Sequence, residues 1–175
     1  YDGAYLAYRY GNIIRLFADP IARTRDSVTG LYYSGVPCYR PPTHSDGTPI
    51  ADGDYPFRLI TYKLVNHGQS RTAVNPWLML VLPENSVDIS AQDAAALGVR
   101  TDDLILVTAP SNTTGIRGRA RVTQRLKPGV IAVSHHYGHW EQGSRPMGVD
   151  GTATAHDPSR AAGLQPTQIM RADRR

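Results

Sequence analysis

From Tyr55 onward the apolar residues of this chain fall in short runs separated by turn residues, a texture that predicts strands. Phe57 to Val65 is dense in β-favouring residues, and Trp77 to Leu82 is a continuous apolar run, as expected of a strand covered on both faces. Ser90 stands where an N-cap belongs, with Asp93 in the capping-box position, helix formers from Ala94 to Leu97 and Gly98 as the stop. These predict a short helix. Leu104 to Val107 reads as a strand, Ala109 to Gly115 as a turn-rich loop, and Ile116 to about Leu126 as the next strand. Lys127-Pro128-Gly129 makes a turn, Val130 to Val133 is the last strong strand, and Thr167 to Met170 is a final weak one. Before Tyr55 only Tyr5 to Phe17 offers a helix or strand, followed by turn signals at Asp19-Pro20, Thr29-Gly30, Pro41-Pro42 and Asp52-Gly53. The pattern divides the chain into an irregular N-terminal arm, 1–54, and a mainly β domain with short helices, 55–175.

Composition narrows the function classes. With 175 residues and 41% hydrophobic content, one core domain and an appendage are supported, and a second independent core is not. The formal charge of +4 points to an anionic partner without choosing between nucleic acid, a phosphate-rich cofactor and a partner subunit. Cys38 is the sole cysteine, which excludes an internal disulfide, an all-cysteine zinc site and an iron–sulfur cluster held within this chain. No apolar run approaches the roughly 20 residues that span a bilayer, so no direct membrane insertion is expected. The chain starts at Tyr1 without an initiating methionine and is expected to be the end of a longer polypeptide.

Candidate chemistry concentrates in two polar loops. The first, Asn66-His67-Gly68-Gln69-Ser70-Arg71-Thr72 closed by Asn75-Pro76-Trp77, combines donors, one cation and a permissive glycine, which suits oxygen-rich ligands. The second is Ser134-His135-His136-Tyr137-Gly138-His139-Trp140. His135, His136 and His139 allow a metal site only if the loop folds back on itself, with neither cysteine nor acid nearby at ligand spacing; hydrogen-bonding or packed histidines are the alternative. Arg117, Arg119 and Arg121 fall on one face of their strand and Ile116, Gly118, Ala120 and Val122 on the other. That ridge is either the solvated face of an edge strand or a contact for phosphate or an acidic partner. Without interleaved aromatics it is a weak nucleic-acid surface. Neither Ser70 nor Ser134 has the strained elbow of a nucleophile, and Cys38 has no activating neighbour, so no catalytic residue and no protein metal ligand is assigned.

The order of Leu59-Ile60-Thr61-Tyr62-Lys63, His67, Ser70-Arg71-Thr72, Asn75-Pro76-Trp77, Val87-Asp88-Ile89-Ser90 and Asp93 to Val99 resembles the C-terminal cofactor-binding domain of the dimethyl-sulfoxide-reductase family of molybdopterin enzymes. Asp102 to Val107, Ala120-Arg121-Val122-Thr123 and Lys127 to Val130 continue the resemblance, which covers roughly residues 55 to 172. It implies a six-stranded double-psi β-barrel that covers one side of a bis(molybdopterin guanine dinucleotide) cofactor carrying molybdenum or tungsten. By position, it implies cofactor contacts at Thr61, Lys63, His67, Gln69, Ser70, Arg71, Thr72, Asn75 and Trp77, then at His135, His136, Tyr137 and His139. The later segment Asp150-Gly151-Thr152 and His156-Asp157-Pro158 resembles the family's guanine-side loop, which implies further contacts at Thr152 and Asp157. The sequence departs from the family at Tyr62, where glycine is frequent, and at Gly151-Thr152, where an asparagine-containing run is usual.

The same resemblance implies that the metal-bound residue and any 4Fe-4S cluster lie upstream, in the remainder of the catalytic subunit. It further implies two partners, an iron–sulfur electron-transfer subunit plus a membrane-anchor subunit, no nucleic acid, and a periplasmic location, the cytoplasm being the alternative. The Gly138-His139-Trp140 ending and the Tyr-rich arm look most like large subunits that reduce tetrathionate, thiosulfate, selenate or arsenate, tetrathionate first. Two alternatives stand beside this reading: a stand-alone double-psi barrel subunit or binding domain without redox chemistry, and a basic nucleic-acid-binding domain.

Overall fold

The computed structural model describes residues 22–34, 39, 41, 43–44, 47–50, 53–69, 71–141 and 143–170. The Tyr5 to Phe17 candidate, the Asp19-Pro20 turn, Pro42, Asp52, Cys38 and Ser70 lie outside these residues. The chain forms two compact units, 1–50 and 51–175.

In the first unit the Thr29-Gly30 signal is a real turn. Asp26 builds it by accepting hydrogen bonds from the amides of Val28 and Thr29, both at 2.8 Å. Gly30 takes the left-handed φ of 69° that lets the chain reverse and pair Arg25 with Tyr32. The Thr29 amide, then the Tyr33 hydroxyl and the Val28 amide, hold the exposed Asp26 carboxyl down at about 2.

The second unit is mainly β with a few short helices, its sheet curled into a half-barrel. Five strands, β1 (Arg58–Tyr62), β2 (Val87–Ser90), β3 (Leu104–Ala109), β4 (Asn112–Thr123) and β5 (Val130–Ser134), stand in the order β1-β5-β2-β4-β3. β1 runs parallel to β5 and β2 parallel to β4, while β2 and β5 are antiparallel. Alternation sends Val87 and Ile89 of β2, Ile116 of β4, and Ile131 and Val133 of β5 into one apolar core with Leu164 and Ile169. A cleft of about 680 Å3, lined by Phe57, Leu59, Ile105, Val107 and Ile131 among others, reaches into it.

Helix α2 (Ala91–Leu97) follows the expected signals. Ser90 Oγ accepts the Asp93 amide at 3.0 Å, and Gly98 ends the helix at a φ of 69°. Asp93 does not reach back to the Ser90 amide; its carboxylate accepts the Ser90 hydroxyl and the Gly129 amide, tying the helix to the β4–β5 turn.

Four local expectations are corrected. Trp77 to Leu82 is not a strand: helix α1 (Pro76–Val81) occupies it, because Asn75 caps its amides and Pro76 sits at the first helical position with φ already set. Thr167 to Met170 is not a strand either, since Pro166 opens a 3-10 turn over Pro166–Ile169 that delivers Ile169 to the core. The Ala109 to Gly115 loop is a tight hairpin turn in which Ala109 pairs with Asn112, so β4 begins four residues before Ile116. Arg117, Arg119 and Arg121 do share one face, but β4 lies between β2 and β3 and is not an edge strand. Finally, Asp150-Gly151 joins β6 (Gly148–Val149) to β7 (Thr152–Ala153), with φ values of 49° and 78° as a two-residue hairpin turn requires.

Candidate functional site: two loops at one end of a parallel pair

Because β1 and β5 are parallel and in register to their last residues, Tyr62 opposite Ser134, their following loops leave the sheet side by side. The antiparallel β2 begins at the same end, which brings Asn85 and Ser86 there too. Carboxyl ends of parallel strands are where α/β sheets commonly bind ligands, and the two polar loops of the sequence meet at such an end here.

Three buried side chains and the half-buried Thr72 fix the loops. Thr72 Oγ1 accepts the Gly68 amide at 3.1 Å and lies 2.8 Å from His67 Nδ1; His67 Nε2 lies 2.7 Å from the Tyr137 hydroxyl, which donates to the Leu82 carbonyl at 2.7 Å. One assignment of hydrogens satisfies every member. The Thr72 hydroxyl donates to His67 Nδ1, and His67 Nε2–H donates to Tyr137, so His67 is neutral. Burial, then the neighbouring His136, pushes the His67 imidazole below its ordinary range, in agreement with that state. His136 bridges the loop differently: Nε2 accepts the Leu64 amide at 3.0 Å, leaving Nδ1–H to donate to the Gln69 carbonyl.

Asn85 ties in a third segment. Its Nδ2 donates to the carbonyls of Ser134 at 2.7 Å and Leu164 at 2.8 Å, and its Oδ1 accepts the Leu164 amide at 2.8 Å. Gly163 must be glycine beside it, since a Cβ there would lie 2.5 Å from Asn85 Oδ1 at a φ of 77°. The Gly138 amide donates to the Ala162 carbonyl at 2.9 Å, so the segment before Leu164 also braces the second loop.

The sequence-predicted site residues separate into distinct groups. His67, His136 and Tyr137 are buried and engaged within the protein, with Thr72 half-buried beside them. Lys63, Gln69 and Arg71 stand exposed on the first loop and Thr61 at the end of β1, while His135 is half-exposed. Burial, followed by His136, Lys63 and His139, lowers the His135 imidazole. His139 is buried between Glu141 at 3.0 Å and the His135 carbonyl at 3.3 Å. Asn75 Oδ1 is occupied by the helix cap, and Trp77 projects outward. Thr152 lies on the β6–β7 hairpin, and Asp157 caps the 3-10 turn Pro158–Ala161 by accepting the Ser159 hydroxyl and amide, the two bonds that lower its carboxyl. Among the described residues no histidine, cysteine or acidic cluster is arranged to hold a metal ion.

A second network lies on the outer face of the sheet. Arg121 grips both oxygens of the buried Asp88 and also donates to the Tyr62 hydroxyl, which itself donates to Asp88 at 2.9 Å. Ser86 adds a further donor to Asp88 at 3.0 Å. Burial, then the Asp88 charge, pushes the Tyr62 phenol up to about 12. Arg119 pairs with Glu84 at 3.2 Å. Two of the three ridge arginines therefore serve the fold. Asp88 between Val87 and Ile89 was the available signal, because an acid within a buried strand needs a cation; Asn85, in an ordinary polar turn, carried no such signal.

The family model described as Molydopterin dinucleotide binding domain matches residues 57–160, a span that contains both loops, β1 to β7 and the Asp157 cap. The chain belongs to this family. Relatives of this molybdopterin dinucleotide binding domain include a selenate reductase subunit of Mesobacillus selenatarsenatis, 35% identical over 99% of the chain and 18% of that relative. A tetrathionate reductase subunit of Salmonella typhimurium is 32% identical over 98% of the chain and 17% of that relative. Among solved structures, acetylene hydratase from Pelobacter acetylenicus superposes with a TM-score of 0.51 at 18% identity, covering 74% of the chain and 18% of that enzyme, which shows a shared fold. The domain thus spans less than a fifth of the length of these relatives.

Proposed function

We propose that the chain is the C-terminal part of a molybdenum or tungsten oxidoreductase and that it holds bis(molybdopterin guanine dinucleotide) for reduction of a chalcogen or arsenic oxyanion, tetrathionate or selenate above all. The observation that carries this reading is the in-register parallel pairing of β1 with β5, which gathers Lys63, Gln69, Arg71 and His135 at one end of the sheet. Their chemistry fits the group: exposed cations and amide donors suit pyrophosphate and pterin oxygens, and no acid–base dyad stands among them. When bound, the metal–pterin group supplies the redox chemistry, while Lys63 and Arg71 would neutralise phosphate and the buried histidines would keep the loops in place. Similarity over nearly the whole chain to proteins named for selenate and tetrathionate reduction supports the substrate class.

On this reading the fold is a six-stranded double-psi barrel, supported by the two parallel pairs, β1–β5 and β2–β4, that meet antiparallel at the centre of the five-stranded sheet. On the same reading, the 4Fe-4S cluster and the metal-ligating residue belong to the upstream portion. The partners are an iron–sulfur electron-transfer subunit plus a membrane-anchor subunit, in the periplasm.

The test is metal content of the longer polypeptide purified with Arg71→Ala or Lys63→Ala. A charged donor to an anionic group contributes about 1.5–3 kcal/mol, so occupancy at limiting cofactor should fall about tenfold or more. Unchanged molybdenum and tungsten content in both variants would show that these side chains do not hold the cofactor. The 175-residue chain alone is expected to show no reductase turnover, and robust turnover would overturn the assignment.

A further inference from the structure

Helix α1 is apolar on the side it buries and apolar on the side it leaves open. From Ala73 to Pro83 the chain contains no charged residue, and its one polar side chain, Asn75, is used as the cap. Met79 and the half-buried Leu78 face inward, Met79 beside Ala73 and Tyr137. Val74, Trp77, Leu80 and Val81, spaced three, three and one residues apart, are 45%, 76%, 76% and 71% exposed. That spacing aligns them as one stripe along the helix and the 3-10 turn before it. An apolar face of this kind marks contact with another body, because a solvated helix face would carry charges.

We propose that the Val74-Trp77-Leu80-Val81 stripe docks against an apolar surface of the catalytic portion of the same polypeptide, outside residues 1–175. The inference rests on the reading of the chain as one domain of a longer oxidoreductase. Two observations choose this occupant. The relatives extend far beyond the matched segment, which makes up 17% and 18% of their length, so the body to be covered exists in them within one chain. The size of the patch then argues against a free partner. With a buried aromatic covering about 150–250 Å2, Trp77 and three aliphatic neighbours present on the order of 500 Å2, short of the roughly 800 Å2 per side that a stable independent complex buries. A tethered surface needs less area, since linkage raises its effective concentration to about the millimolar range.

Position adds a consequence. The stripe begins three residues after Arg71, and α1 is followed by its C-cap Leu82, whose carbonyl receives the Tyr137 hydroxyl. The scaffold that sets the cofactor loops therefore also sets the docking face, and the body seated on the stripe borders the loop that carries Arg71.

Hydroxyl-radical footprinting of Trp77, in the purified longer polypeptide and in the 175-residue chain, tests this. Labelling of Trp77 should be about tenfold slower in the longer polypeptide, as for a side chain moved into a packed interface. Equal labelling would overturn the proposal. Protection in the 175-residue chain that rises with its concentration would assign the stripe to a second copy, and protection only on adding lipid vesicles to a membrane surface; either overturns it. Trp77→Phe should retain slow amide exchange over residues 74–82 in the longer polypeptide, whereas Trp77→Asp with Leu80→Asp should lose it. Metal content of the same samples separates the two readings: metal bound with Trp77 unprotected defeats the docking alone, and Trp77 protected without metal defeats the cofactor assignment alone.

Discussion

Asp88 shows how a single buried charge organises its surroundings. Its carboxylate is 8% exposed and would be costly alone, but Arg121, Tyr62 and Ser86 satisfy it from β4, β1 and the residue before β2. Arg121→Met should destabilise the domain by about 1.5 kcal/mol, the low end for charge-assisted pairs because the guanidinium is half-exposed, with Arg121→Lys recovering part; urea denaturation measures both. The Tyr62 and Tyr137 phenols, each pushed up to about 12 mainly by burial, stay protonated where an unfolded tyrosine ionises. Their contribution to stability is therefore intact below about pH 10 and lost as pH rises from there to about 12. At the acid end His67 and His135 are both lowered, so the unfolded chain binds more protons just below pH 6.5 and stability falls as pH drops through that range. Thermal melts across both windows check the signs. Sequence made these residues visible as types: a clustered set of histidines and a row of arginines. It did not show their partners, because His67 meets Tyr137 seventy residues away and Arg121 meets Asp88 thirty-three residues away.

Among the elements, the helix at Ser90 was legible because its determinants are local: a cap, helix formers and a glycine stop all lie within nine residues. Strands β1, β3 and β5 were legible for the same reason. Helix α1 is not legible in the pattern, because an apolar run without periodicity suits a strand and a helix equally, and its deciding Asn75-Pro76 start also closes a polar loop. The brace at Asn85 was not readable from sequence, since its partners are two carbonyls and an amide that the fold brings to it. Asn85→Ala should cost about 3 kcal/mol, as three buried backbone groups lose their partner, and calorimetry reads the loss. Gly163→Ala should be comparably damaging, while Gly98→Ala, with open space around its Cβ, should show only the milder strain of a left-handed position.

At the scale of the whole molecule, a mainly β class followed from strand-length patterning and turn residues, and the cofactor family followed from the order of several weak motifs. Strand topology followed from no local pattern; only the family resemblance implied one. Parallel pairing of β1 with β5 across nearly seventy residues is a long-range choice that no local pattern encodes, yet it places the two candidate loops together. Leu164 shows what that architecture demands of synthesis order. Its side chain lies where a Cβ on Gly118 would stand, 1.8 Å from Leu164 Cδ2, and its backbone closes the Asn85 brace. Loop 63–75 leaves the ribosome about a hundred residues before the segment that finishes bracing its neighbours. The end of the sheet where the two loops meet is therefore fully braced only once residues 162–164 have been translated.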